Sequence, residues 1–168
     1  MKNTVIANIL LLISMSTFAQ NDGLNPKESN VWTFEHYPAV ADFSGSPAEP
    51  LLITPHEHAF RTMIRTQALN GPNFAGHYTV AKWGCGSPCL SFVIIDAKSG
   101  AIYDPGFSAG CANSNGSGAG INFKLTSRLI IVTGLSKESK EVVCGDDFYQ
   151  WDGKRLKWIH FEPWPSNH

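Results

Sequence analysis

The spacing of hydrophobic positions changes character along the chain. An almost unbroken apolar run from Val5 to Met15 comes first, followed by a polar, proline-containing stretch. Phe60, Met63, Ile64 and Ala68 then recur at helical spacing, with Glu57, Arg61 and Arg65 on another face. From Phe74 onward the period falls to two, in short runs bounded by Gly, Asp and Asn.

These patterns predict one helix and many strands. Thr54-Pro55-His56-Glu57 is a helix start: Thr54 accepts from the amide three residues on, Pro55 suits the first position, and Glu57 reaches back. Asn70-Gly71-Pro72 stops the helix. Val31 to Tyr37 reads as an edge strand ended by Pro38, and Asp42 to Pro50 as a loop. Strands are expected over Phe74–Trp83, Leu90–Asp96, Ala101–Asp104, Ile121–Leu125, Arg128–Thr133, Phe148–Trp151 and Leu156–Phe161. Leu90–Asp96 is apolar on both faces, as in a sheet centre, and Asp96–Gly100 and Asp152-Gly153 are hairpin turns. The expected fold is α+β: a mostly antiparallel β-sheet of about six to eight strands, a meander of hairpins, with one helix N-terminal to the sheet and packed on it. The two hairpin blocks share no residue-by-residue repeat, and the chain is too short for a propeller with a helix beside it.

The first apolar run belongs to a different layer of meaning. Lys2 gives a short positive region, Val5–Met15 the apolar segment, and Thr17-Phe18-Ala19 the small residues of a cleavage site before Gln20. Residues 1–19 are therefore expected to be a signal peptide, with no cysteine nearby for lipid attachment, and residues 20–168 a single exported domain with no further transmembrane segment. About 149 residues suffice to bury a core. The formal charge of −1 offers no basic excess for nucleic acid.

Export changes how the cysteines read. Cys85, Cys89, Cys111 and Cys144 are even in number and destined for an oxidising compartment, periplasmic or extracellular, so two disulfides are expected. Three connectivities are open. The tight reversal Gly86-Ser87-Pro88 favours Cys85–Cys89, which leaves Cys111–Cys144.

The runs Asn73-Phe74-Ala75-Gly76-His77-Tyr78, Trp83-Gly84-Cys85-Gly86-Ser87-Pro88-Cys89 and Asp96-Ala97-Lys98-Ser99-Gly100-Ala101-Ile102-Tyr103 carry a resemblance. The chain resembles small exported bacterial proteins of unknown function with an N-F-A-G-H-Y…W-G-C-G-x-x-C…D-x-x-x-G-x-x-Y pattern, mainly over residues 57–104 and less clearly at Tyr149–Gly153. The resemblance implies export and the strand layout, and no catalytic residues.

Several residues invite chemistry. Cys85 and His77 share a strand face, but eight residues of strand span about 26 Å, beyond the reach of a nucleophile–base pair. Cys85-x-x-x-Cys89 also differs from the dithiol C-x-x-C. His56 and His58 flank Glu57 in an order unlike a zinc protease motif and point in different directions. The stretch Pro105–Gly120 is rich in Gly, Ser and Asn but lacks a phosphate loop's Gly-Lys-Ser/Thr ending. No cofactor or metal set emerges. Asn73, His77, Tyr78 and Trp83 line the first long strand as ligand-binding candidates, with packing under the helix as the competing role for His77 and Trp83. The expected function is a non-enzymatic binding or inhibitory module for an unidentified envelope or extracellular ligand or protein. The alternative is an exported hydrolase using Cys85 or His77.

Overall fold

The computed structural model describes residues 31–111, 118–135 and 143–165. The expected signal peptide, the polar residues 20–30 that follow it and the middle of the glycine-rich stretch lie outside the described residues.

The described residues form two small helices and seven strands, all strand pairs antiparallel. Strand β1 (Tyr78–Gly86) pairs with β2 (Cys89–Asp96), which pairs with the two-residue β3 (Ile102–Tyr103). Strands β4 (Ile121–Phe123), β5 (Leu129–Leu135), β6 (Cys144–Trp151) and β7 (Leu156–Pro163) follow one another across a second sheet. The meander of hairpins is present, divided between two sheets.

The division follows from which faces are apolar. Tyr78 and Val80 of β1 and Phe92 and Ile94 of β2 share one core with Ile121, Ile130, Val132, Tyr149 and Trp151 of the second sheet. On the other face, Ala81, Trp83, Val93 and Ile95 pack against Ile64 and Ala68 of the helix layer. Side chains alternate across a strand, so a β2 buried on both faces needs a cover on each side. The result is a layer of helices, a three-stranded sheet and a four-stranded sheet.

The single helix expected over 54–70 is instead two pieces, α1 (Pro55–Ala59) and α2 (Arg61–Ala68), joined at Phe60. Thr54 Oγ1 accepts from the Glu57 amide at 3.2 Å, and the Glu57 carboxylate accepts from the Thr54 amide at 2.9 Å, completing the capping box. Phe60 leaves helical geometry at φ −104° and ψ 16° and stacks on Trp83 at 4.7 Å. The edge strand expected over Val31–Tyr37 is absent: Phe34–His36 closes a 3₁₀ turn through its own backbone bonds. Only Pro38, beyond it, pairs with Ser127.

Cys85 is bridged to Cys89 at the tip of the β1–β2 hairpin, and Cys111 to Cys144 at the start of β6. Both bonds fit an oxidising environment. Among the described residues no helix is long and apolar enough to cross a membrane.

Candidate functional site

The first long strand was expected to begin at Phe74, but β1 begins at Tyr78. Residues 74–77 form a tight turn that pairs Phe74 with Tyr78. Ala75 sits at φ 44°, rare for a residue with a Cβ, and Gly76 at φ 89°. A Cβ on Gly76 would overlap the Val40 carbonyl oxygen, so only glycine lets these backbones approach. The Gly76 amide donates to the Leu125 carbonyl at 2.7 Å, and the Ala75 amide to that of Ser127 at 3.2 Å. The turn thus docks on the loop before β5 and holds the next residue, His77, in place.

His77 carries the densest set of polar contacts near this turn. Its Nδ1 lies 3.0 Å from Asp42 Oδ1, and Lys98 Nζ lies 2.6 Å from Asp42 Oδ2. The Lys98 ammonium first, and His77 second, hold the Asp42 carboxyl below its ordinary value of 3.8. An ionised carboxylate only accepts, so Nδ1 is the donor in this contact. Nε2 lies 3.9 Å from Asp96 Oδ1, outside hydrogen-bond range. The ring rests on Tyr78, with centroids 4.3 Å apart.

Beside this cluster lies an open hollow of about 370 Å³. Its walls come from three distant segments: Pro38–Asp42, the turn with Tyr78, and the β6–β7 hairpin at Trp151–Gly153, with Arg128 on the rim. Tyr78 and Trp151 meet edge to face at 5.2 Å. Burial raises the Tyr78 phenol above its ordinary value, so it stays neutral. Asp152 Oδ1 accepts from the Lys154 and Arg155 amides, both at 2.9 Å. Those amides, with Lys157 nearby, lower its carboxyl from 3.8 to about 2.

The four ligand-binding candidates part company here. His77 and Tyr78 line the hollow. Asn73 instead uses its amide group on the backbone of Val80, accepting at 2.8 Å and donating at 3.3 Å, as a strand partner does. Trp83 is 5% exposed on the helix side of β1. Cys85, in its disulfide, presents no thiol. Asp42, Arg128 and Asp152 were not singled out as site residues. Asp152 was visible as a turn former, whereas Asp42 and Arg128 follow no local motif.

A second aspartate–histidine pair stands elsewhere. His56 Nδ1 lies 3.0 Å from Asp104 Oδ2, and Asp104 Oδ1 accepts from the Gly106 amide at 2.8 Å. The adjoining cavity, about 280 Å³, is lined by Ser91, Ser108 and Phe107. The two serine hydroxyls bond to one another at 3.0 Å. Among the described residues no three His, Cys, Asp or Glu side chains gather as metal ligands.

Comparison with known proteins finds no matching family model, no matching curated protein and no matching solved structure.

Proposed function

We propose that this protein is an exported binding or inhibitory module, periplasmic or secreted and non-enzymatic, that takes its ligand in the hollow beside His77. The observation that carries the reading is the convergence of three segments far apart in sequence on one hollow, with a rigid turn presenting His77 and Tyr78 to it. Binding sites are concave, largely apolar and set with a few oriented polar groups, and this one has an aromatic floor with His77 and Arg128 at its margin. The two disulfides support export.

A hydrolase built on His77 is the second reading, favoured by one observation: Asp42 orients the ring as a triad aspartate orients its histidine. Against it, no hydroxyl or thiol is hydrogen-bonded to Nε2 among the described residues. The two readings are tested together on isotope-labelled protein titrated with fractions of a bacterial envelope extract, alongside a turnover assay on ester and amide substrates. Saturable shifts at His77, Tyr78 and Gly153 without turnover support the binding module. Turnover abolished by His77→Ala establishes the hydrolase, and no response at the hollow removes the proposed site.

A further inference from the structure

The charged groups around the hollow differ in what they have left to give. Asp42 is engaged at both oxygens, by His77 and Lys98. Asp152 is engaged at Oδ1 by two backbone amides and at Oδ2 by Arg155 and Lys157. Arg128 is the reverse case. Its backbone is fixed at both ends, its amide donating to the Tyr37 carbonyl at 2.7 Å and its carbonyl accepting from the Trp151 amide at 2.8 Å. Its Nε donates to the Pro38 carbonyl at 3.2 Å, which orients the guanidinium. Among the described residues no ion pair forms to it and no partner engages its two terminal NH₂ groups.

A guanidinium held at Nε still offers its outer edge, two parallel N–H bonds matched to a planar oxyanion. The same hollow is lined by Ala39, the 81% exposed Val40, Tyr78 and Gly153. We propose that Arg128 anchors a carboxylate, and that the hollow takes an apolar body carrying one such group. This deepens the binding reading above and rests on it. The two lining carboxylates favour a monoanion over a dianionic phosphate, because each adds repulsion for every further negative charge. The same chemistry is offered by a small free acid or by the C-terminal carboxylate of a partner chain.

The test titrates the full-length mature protein with 3-phenylpropionate, with 3-phenylpropionamide, with inorganic phosphate, and with an N-acetylated tripeptide ending in leucine as the free acid or the amide. Resonances of Arg128, Tyr78 and Gly153 report binding. Each acid should bind about tenfold more tightly than its amide, the worth of a charge-assisted hydrogen bond. Arg128→Gln should erase that preference, and Arg128→Lys should restore only part of it, since an ammonium lacks the fork. Val40→Asp, which sets a carboxylate into the exposed apolar wall and leaves the core untouched, should weaken the acids more than the amides. A stronger response to the free acid than to the peptide assigns a small molecule, and the reverse a chain terminus. Equal binding of acid and amide, a preference that survives Arg128→Gln, or tighter binding of phosphate overturns the proposal. A hollow that answers the envelope fractions and ignores carboxylates leaves the binding module standing without this ligand class, whereas silence toward both removes the two together.

Discussion

His77 Nδ1 and Asp42 Oδ1 lie 3.0 Å apart across 35 residues of sequence, and that contact ties the turn before β1 to the segment walling the hollow. Lys98 and His77 lower the Asp42 carboxyl from 3.8. A depressed carboxyl contributes its stabilisation above the unfolded value and loses it as pH falls through the folded one. The contribution of this contact to the docking of residues 38–42 should therefore be full above pH 3.8 and weaken on further acidification. Amide exchange at Ala39 and the Asp42 side-chain resonances, followed from pH 6 to 2, read the loss. Asp42→Asn should remove the pH-dependent step, and an unchanged profile in that variant refutes the assignment.

Asp152 supplies a second acid-sensitive feature with a defined window. Its carboxyl falls from 3.8 to about 2 through the Arg155 and Lys154 amides, assisted by Lys157. The advantage of the wild type over Asp152→Asn is expected in full above pH 3.8 and should shrink as pH falls toward about 2. Urea denaturation of both proteins across that range checks the convergence. A gap that stays constant to pH 2 means the effect is steric.

Gly76 faces two penalties for any side chain: a positive φ and the Val40 carbonyl at the Cβ position. Gly76→Ala should lower stability by about 1–3 kcal/mol from backbone strain alone, with the overlap added. Gly45, also at positive φ but with open space around it, separates the terms. Gly45→Ala should carry only the strain. Equal losses in the two variants, measured by denaturant titration, would show that Val40 yields freely.

Local rules explain what was legible in the sequence. The Thr54–Glu57 box, the Asp96–Gly100 and Asp152-Gly153 turns and the doubly apolar β2 are short-range signals, and each appears in the fold. The start of β1 was misplaced because Phe74 and Ala75 are apolar and fit an alternating pattern. Phe74 closes the turn on Tyr78, and Ala75 and Gly76 hold it with hydrogen bonds to residues 124–127, which no local window contains. The break at Phe60 has the same origin, a helix yielding to stacking on Trp83. The hollow was the least legible feature, since Asp42, His77, Arg128 and Asp152 meet only after the chain has folded.

The two disulfides should differ in both accessibility and worth. Cys85 is exposed at a hairpin tip, whereas Cys111 is 4% and Cys144 9% exposed. A dithiol reductant should open Cys85–Cys89 first, and Cys111–Cys144 only under conditions that loosen the fold. The bridges span separations of 4 and 33 residues. Chain entropy then assigns about 2 kcal/mol to the first and about 4 kcal/mol to the second. Paired Cys→Ser variants, with alkylation and mass mapping of partly reduced protein, test the order, and early loss of Cys111–Cys144 contradicts it.

Trp83 carries two opposing contributions in one side chain. It is 5% exposed and stacked on Phe60, yet its indole Nε1 is buried with no hydrogen-bond partner among the described residues. Truncation to alanine removes the packing and should lower stability by about 3–5 kcal/mol. Trp83→Phe keeps most of the ring contact and eliminates a donor whose burial costs about 1–3 kcal/mol. Part of the lost volume is thereby offset, so the phenylalanine variant should fall within about 1.5 kcal/mol of the wild type. A loss as large as that of alanine would mean that the indole N–H has found a partner. Trp83 also lies on the helix side of β1, while the hollow is lined by Tyr78 from the opposite face. The same Trp83→Phe protein should therefore bind 3-phenylpropionate as the wild type does, and a weakened response would return Trp83 to the ligand site.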